Sequence, residues 1–335
     1  MKDIRFDGRV AIVTGAGNGM GREYALALAA RGAAVLVNDL GGAPTGGGGS
    51  PQAADAVVDQ IRATGGKAVA SYDSVATLGG GLAIANKALD AFGQIDILIS
   101  NAGIMRTGLL SNLNKDDLEA LTATHLHGGF YVTQPAFKEM RRKGYGRIIL
   151  VSSNGGAFGI SGYSAYGAAK AGLIGLMNAV ALEGAPHGIL CNALLPGAVT
   201  RLGTAAAESA ATEQGATSEK GLDQNDEAMN EAFGVMLKAM GPEFVTPMVL
   251  YLASERCKST HAIFSAVGAR YARAFMGLTE GWLASDEAPP KVEDIDAHFG
   301  EIANLKKYSV PLSVSDEMQI VARARSNARR SRLVP

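Results

Sequence analysis

Short β-branched runs alternate with Ala-rich stretches along most of this chain. The runs at Val10–Val13, Ala34–Asn38, Ala68–Ser71, Ile95–Ser100, Arg147–Val151 and Leu190–Leu195 are predicted strands, with a last short one near Ala262–Val267. The stretches between them are predicted helices, among them Glu23 to Arg31. Regular strand–helix alternation builds an α/β fold, a doubly wound parallel sheet of about seven strands with helices on both faces. Ligands of such sheets bind at the carboxyl ends of the strands. Gly15, Asp39, Asn101, Ser153 and Pro196 all fall at those ends.

Three segments stand apart from the alternation. Gly41–Ser50 is mostly glycine, so it is expected to be flexible, either as a flap over a site or as a tolerated insertion. Residues 201–240 are rich in Ala, Glu and Gln, with few bulky side chains before Phe233–Leu237. From Arg270 onward the chain forms a C-terminal extension. It holds an apolar stretch ending at Leu283, a break at Ala288-Pro-Pro290, an amphipathic helix over Lys291–Lys307 and a basic end, Arg323–Arg332. That basic end could meet a phosphate, an acidic neighbouring subunit or only water, and water is the default.

Composition removes several classes of function. A chain of 335 residues is long enough for a full core with an appendage. A formal net charge of −1 gives no reason to expect nucleic acid. Cys191 and Cys257 are too few for a disulfide framework, which fits a reducing compartment, and a cytoplasmic location is expected. The N-terminal Met-Lys-Asp-Ile-Arg-Phe-Asp-Gly has no apolar secretory core, and the final Arg-Leu-Val-Pro335 is not a peroxisomal address. No apolar run reads as long enough to span a bilayer. The histidines at 125, 127, 187, 261 and 298 lack metal-ligand spacing, so no metal is expected.

The candidate chemistry lies in Val151–Lys170. Tyr166 and Lys170 are four apart, which on a helix brings both side chains out of one face. A phenol is a poor base near neutral pH, and a nearby ammonium is expected to lower its pKa. Ser153, at the end of the apolar run Ile148–Val151, would face that pair across a small gap. An oxygen held between Ser153 and Tyr166 would be polarised by one and exchange its proton with the other. This is proton chemistry for a secondary alcohol or ketone, and it lacks only a hydride carrier.

A carrier is signalled near the N-terminus. A glycine turn with Gly15, Gly19 and Gly21 lies between the first strand and a helix, the arrangement that receives a pyrophosphate. Asp39 ends the second strand, where an acid accepts hydrogen bonds from a ribose and repels a 2′-phosphate. No Lys or Arg occupies Asn18 or Leu40, where a cation would have met that phosphate. NAD is favoured over NADP.

These motifs resemble the short-chain dehydrogenase/reductase family, in its order, from about Phe6 to about Val267. They are Thr14-Gly15-x-x-x-Gly19-x-Gly21, Asp73, Asn101-Ala-Gly103, Ser153, Tyr166-x-x-x-Lys170 and Pro196-Gly197. Val37–Gly42, Gly65–Ala68, His125–Gly128, Gly144–Ile148 and Leu182–Gly184 make the likeness greatest to the (3R)-hydroxyacyl-CoA dehydrogenase part of peroxisomal multifunctional enzyme type 2.

The resemblance implies a Rossmann-like domain over 1–270, with a substrate lid at about 201–240 and an extension over 271–335 for packing or oligomer contacts. It implies Tyr166 as acid/base, Lys170 as its tuner and a nicotinamide-ribose ligand, and Ser153 as the orienter of the substrate oxygen. Gly15, Asn18, Gly19, Met20, Gly21, Asp39, Leu40, Asp73, Ser74, Asn101, Ala102 and Gly103 would contact the cofactor, with Pro196 and the Val199 backbone at the nicotinamide. Ser100 replaces the first Asn of the usual Asn-Asn-Ala-Gly, and His125 replaces the family's helix Asn, so that it either relays protons or merely packs. A homotetramer or homodimer acting on a small molecule is implied, with no nucleic acid or membrane partner. The substrate would be a 3-hydroxyacyl-CoA, or else a hydroxysteroid or other hydrophobic alcohol. A sensor or scaffold that binds NAD without turnover is the non-enzymatic alternative.

Overall fold

One eight-stranded sheet organises the computed structural model, which describes residues 3–202, 231–232 and 234–333. The strands are β1 (Val10–Thr14), β2 (Ala34–Asn38), β3 (Lys67–Ser71), β4 (Ile97–Ser100), β5 (Gly146–Val151), β6 (Ile189–Gly197), β7 (Ala262–Val267) and β8 (Arg270–Ala274). Their order is β3-β2-β1-β4-β5-β6-β7-β8, and β1 to β7 pair in parallel. The predicted runs form strands because both sheet faces are covered: every residue of β1, β4 and β5 is buried. From β1 the chain moves outward through β2 and β3, then returns beside β1 as β4 and proceeds the other way. The crevice between the carboxyl ends of β1 and β4 is therefore the topological switch point.

The helices that matter for the site start at those carboxyl ends. Helix α1 (Gly19–Ala30) leaves the glycine turn and buries Tyr24, Ala25 and Leu28 on one stripe against the sheet. Helix α2 (Gln52–Ala63) follows β2, and α3 (Leu78–Phe92), capped by the Thr77 side chain, follows β3. After β4 come α4 (Lys115–Leu121), a wide π-turn over Thr122–His127, and α5 (Gly128–Lys143). The short α6 (Asn154–Phe158) and the long α7 (Ser164–Gly184) follow β5. Continued through a short turn to His187, α7 is long and apolar enough, by length and composition alone, to cross a membrane. This corrects the expectation that no run is long enough. Its Leu173, Leu176, Met177 and Val180 are taken up by the core.

An eighth strand was not expected. Gly268 and Ala269, with φ of 56° and 59°, make a two-residue connection from β7 into β8, the conformation of a type I′ hairpin turn. The strand Arg270-Tyr-Ala-Arg-Ala274 is a charged edge, the usual protection against pairing with other chains.

The chain divides into two compact units, residues 1–273 and 274–335. The second contains the antiparallel pair Leu278–Thr279 and Tyr308–Ser309 with helices Val292–Ile302 and Val314–Leu333. Trp282 stacks on His298 at 4.2 Å, and Phe275 on Tyr308 at 5.5 Å. The helix predicted to reach Lys307 stops at Ile302, because the chain must turn to enter the short strand at Tyr308.

Candidate functional site

At the switch point the backbone is held closed by a small set of hydrogen bonds. The buried Thr14 hydroxyl, at the end of β1, accepts from the N–H groups of Asn101 and Ala102. The Asn101 amide donates back to the carbonyls of Thr14 and Gly15. Gly15 has φ 63°, and a Cβ there would lie 2.7 Å from the Ala102 Cα. Only glycine fits so close an approach in that conformation. Asn101 thus acts as a staple between β1 and β4, although the sequence pattern marked it as a cofactor contact. Thr14, quoted in the motif but given no role, is the other half of the staple.

A cleft of about 410 Å³ opens above this junction, within the size range of ligand sites. Its wall includes Gly15, Asn18, Gly19, Met20, Gly21, Asp39, Leu40, Asp73, Ser74, Asn101, Ala102 and Gly103, so twelve of the expected cofactor residues share one cavity. The α1 first turn there presents N–H groups that lack intrahelical acceptors. Asp39 accepts from the backbone N–H of Gly17 at 2.8 Å and of Gly41 at 2.7 Å, which fixes its carboxylate at the cleft while leaving further lone pairs for a diol. Asp73 accepts from the Ser71 hydroxyl at 2.9 Å. Helix N-terminus, fixed acid and glycine-shaped floor together fit a dinucleotide.

Ser153, Tyr166, Lys170, Pro196 and Val199 lie outside that wall. The Val199 N–H, expected to reach the cofactor, donates to the Met240 carbonyl at 2.6 Å. Pro196 is the last residue but one of β6, and its carbonyl is 3.5 Å from the Asn154 amide. The lid expected over 201–240 falls mostly on 203–230 and 233, outside the described residues.

The residues expected to act as acid and base come together around α7. Tyr166 and Lys170 sit on one face of that helix, with the Lys170 Nζ 5.8 Å from the Tyr166 ring centre. Ser153 caps α6, its hydroxyl accepting from Gly155 N–H at 3.1 Å. Burial raises the Tyr166 phenol above its usual pKa, opposed by the Ser153 hydroxyl. The expected lowering by Lys170 does not occur here. Burial drops the Lys170 ammonium to about 7, and its Nζ donates to the Val151 carbonyl at 2.7 Å. Near neutral pH that lysine is about half charged, a weaker influence than the permanent cation the spacing suggested.

His125 links the two regions. It is buried in the π-turn, edge-on to the Tyr166 ring at 5.2 Å. Its Nε2 is 2.8 Å from the Ile104 carbonyl oxygen, while Nδ1 is buried without a partner. Burial, reinforced by Lys170, holds its pKa well below the usual value, so the ring is neutral. A Cβ at Gly103 would come 2.5 Å from the His125 Cε1, which explains why glycine ends the Asn101–Gly103 motif. Among the described residues no cluster of His, Cys, Asp or Glu is placed to hold a metal ion.

Sheet order and glycine turn are those of a nucleotide-binding α/β fold. A family model for short chain dehydrogenases matches residues 9–214, and the chain belongs to that family. Its relatives include a short-chain type dehydrogenase/reductase of Mycobacterium tuberculosis, 41% identical over 89% of this chain and 94% of its own length. Peroxisomal multifunctional enzyme type 2 of Drosophila melanogaster is 44% identical over 79% of this chain and 40% of that enzyme. The solved full-length fly enzyme matches with a TM-score of 0.74 at 32% identity, covering 96% of this chain and 50% of that one. The sequence likeness to the dehydrogenase part of that enzyme is thereby borne out, and the chain spans less than half the length of such relatives. A 7α-hydroxysteroid dehydrogenase, solved with NADH and a 7-oxo bile acid, matches with a TM-score of 0.65 at 25% identity, over 80% of this chain and 97% of its own.

The cytoplasmic location does not stand. The fly enzyme and the relatives from mouse, Dictyostelium, yeast and Neurospora are named as peroxisomal enzymes. The two cysteines are free and buried and do not identify a compartment.

Proposed function

We propose that this chain is an NAD-dependent dehydrogenase of a 3-hydroxyacyl-CoA, with Tyr166 as the acid/base. The observation that carries the proposal is the joint placement of Tyr166 and Lys170 on one face of α7 and of Asp39 on the cleft wall. Relatives named as peroxisomal multifunctional enzymes and hydratase-dehydrogenases support the acyl-CoA class. We assign residues 1–270 to cofactor binding and catalysis, with a lid at about 201–240, and 271–335 to packing or oligomer contacts in a homodimer or homotetramer.

Ser153 holds the substrate oxygen, and Tyr166 takes its proton during oxidation or returns it during reduction. When bound, the oxidised nicotinamide supplies the hydride acceptor and a positive charge that favours the phenolate. Lys170 adds its partial charge beside Tyr166. His125, neutral and carrying an unpartnered Nδ1, passes the proton onward from this buried group. Gly15 to Gly21 receive the pyrophosphate, Asp39 the adenosine ribose, Asp73 and Ser74 the adenine. Pro196 and the Val199 backbone serve the nicotinamide once the Val199–Met240 bond is released. Positioning and pKa adjustment carry most of the acceleration.

The test follows NADH absorbance with NAD or NADP against hydroxyacyl-CoAs and hydroxysteroids. Turnover with NAD and a hydroxyacyl-CoA is expected, and Tyr166→Phe should reduce it by roughly 10²–10⁴-fold with cofactor affinity little changed. Asp39→Ala should weaken NAD far more than NADP; the reverse ranking contradicts the cofactor assignment. The bile-acid complex of the structural neighbour favours a hydroxysteroid as second reading, and turnover confined to steroids would select it.

A further inference from the structure

The glycine-rich segment after β2 is folded back on itself rather than extended into solvent. Ser50 N–H donates to the Leu40 carbonyl at 2.9 Å, and Ala43 N–H to the Gly47 carbonyl at 3.0 Å. Its tip is fastened to the far side of the cleft at two points. Met105 N–H donates to the Pro44 carbonyl at 2.8 Å, and the Arg106 Nε to the Thr45 carbonyl at 2.7 Å. The same guanidinium is anchored to α4, 2.9 Å from the Asp117 carboxylate and 3.3 Å from the Asp116 carbonyl.

The sheet order makes these contacts consequential. β2 and β4 flank β1, so a segment that leaves β2 and is pinned to the chain beyond β4 must pass over the carboxyl end of β1. Residues on both sides of the crossing, including Gly42, Pro44, Gly46, Ile104 and Arg106, line the cleft. Few side chains in Gly41–Ser50 contribute packing, and glycine gains the most backbone freedom on release. The closed arrangement therefore depends heavily on its two fasteners. Of these, the Arg106 contact is the charge-assisted one.

We propose that Gly41–Ser50 is a strap closed across the cofactor cleft, and that Arg106 is the positioning residue that latches it and sets how long the cofactor stays. The proposal rests on the reading of this cleft as a nicotinamide-cofactor site. Arg106 needs no contact with the reacting atoms for this role, so its loss should appear in cofactor exchange before it appears in the chemical step.

The test compares the full chain with Arg106→Ala and Arg106→Lys. Stopped-flow fluorescence should show NADH leaving Arg106→Ala roughly tenfold faster, the scale of one charge-assisted hydrogen bond. Arg106→Lys, which keeps a donor for Thr45, should recover part of the difference. Without cofactor, hydrogen exchange should quicken at the amides of Ala43, Gly46 and Met105 in Arg106→Ala and stay unchanged in the sheet. Should Arg106→Ala not fold, Asp117→Asn, which loosens the guanidinium anchor, carries the same comparison with a smaller expected change. Equal release rates and equal strap exchange in the variant and the unaltered chain overturn the strap. Failure of the unaltered chain to bind NADH or NADPH overturns the reading of the cleft, and the strap with it.

Discussion

Lys170 is a cation in an apolar place, and its pKa of about 7 records the cost of keeping it charged there. Below pH 7 the lysine is protonated in both folded and unfolded chains, so the fold bears the whole penalty. Between about 7 and its ordinary 10.5 the unfolded chain binds more protons, and stability rises with pH across that window. Lys170→Met should therefore stabilise the protein at pH 6, on the order of a few kcal/mol, with the gain shrinking toward pH 10 and activity lost throughout. Denaturant midpoints at several pH values read this directly, and a gain independent of pH would mean that Lys170 keeps its charge. The adjacency of Tyr166 and Lys170 was legible because it depends only on a spacing of four along one helix. Their protonation was not, because it depends on burial beneath elements distant in sequence. Arg106 was missed for the same reason: its partner Thr45 is 61 residues away, and no local pattern links an arginine to a distant backbone carbonyl.

At the scale of elements, the β7–β8 hairpin shows what pattern reading catches and what it passes over. Runs buried on both faces declare themselves by continuous apolar residues, and all seven predicted strands are present within a few residues of their predicted limits. β8 carries two arginines in five residues, so it reads as the start of a tail until its partner strand is known. Its turn places Ala269 at φ 59°, a conformation that costs a non-glycine residue about 1–2 kcal/mol. Replacing Ala269 with Gly should stabilise the protein by about 0.5–1 kcal/mol after allowing for the entropy of the added glycine, read as a higher denaturation midpoint. An unchanged or lower midpoint would mean that the hairpin contributes little to the folded state. The π-turn was equally hidden, since a run such as Thr122–His127 has no composition that distinguishes it from ordinary helix.

Across the first unit as a whole, the end of the sheet opposite the cleft is held by a charge cluster around one buried carboxylate. Asp96 is fully buried and pairs with Arg9 and Lys143, while also accepting from the Val10 N–H and the Gln94 amide. Arg9 in turn pairs with Glu255, and its guanidinium lies 3.7 Å over the Tyr145 ring. The cluster thus connects the starts of β1 and β5, the end of α5 and the segment before β7. Asp96→Ala would take the buried acceptor from Lys143 and the Val10 N–H while Arg9 keeps Glu255, and a loss of about 1–3 kcal/mol in stability is expected, seen as one cooperative shift in thermal unfolding of this unit. A loss below about 1 kcal/mol would show that water reaches the cluster. The doubly wound architecture was readable from strand–helix alternation, because parallel strands require crossover helices. This counter-charge arrangement was not, since each partner is an ordinary charged residue until the sheet brings them together.

The π-turn bears on how such a site is inherited. It contains a wider turn than an α-helix, so one residue more than a regular path needs lies between α4 and α5. Removing any one residue from 122–127 would let the helix close at its normal pitch with α4 and α5 kept in place, while residues of the turn itself would shift around the axis by up to about 100°. His125 would lose its register with Ile104 and Tyr166, although every strand of the sheet could remain. At this position a single-codon deletion would be more disruptive than most substitutions, and the length of the segment is under as much constraint as its residues.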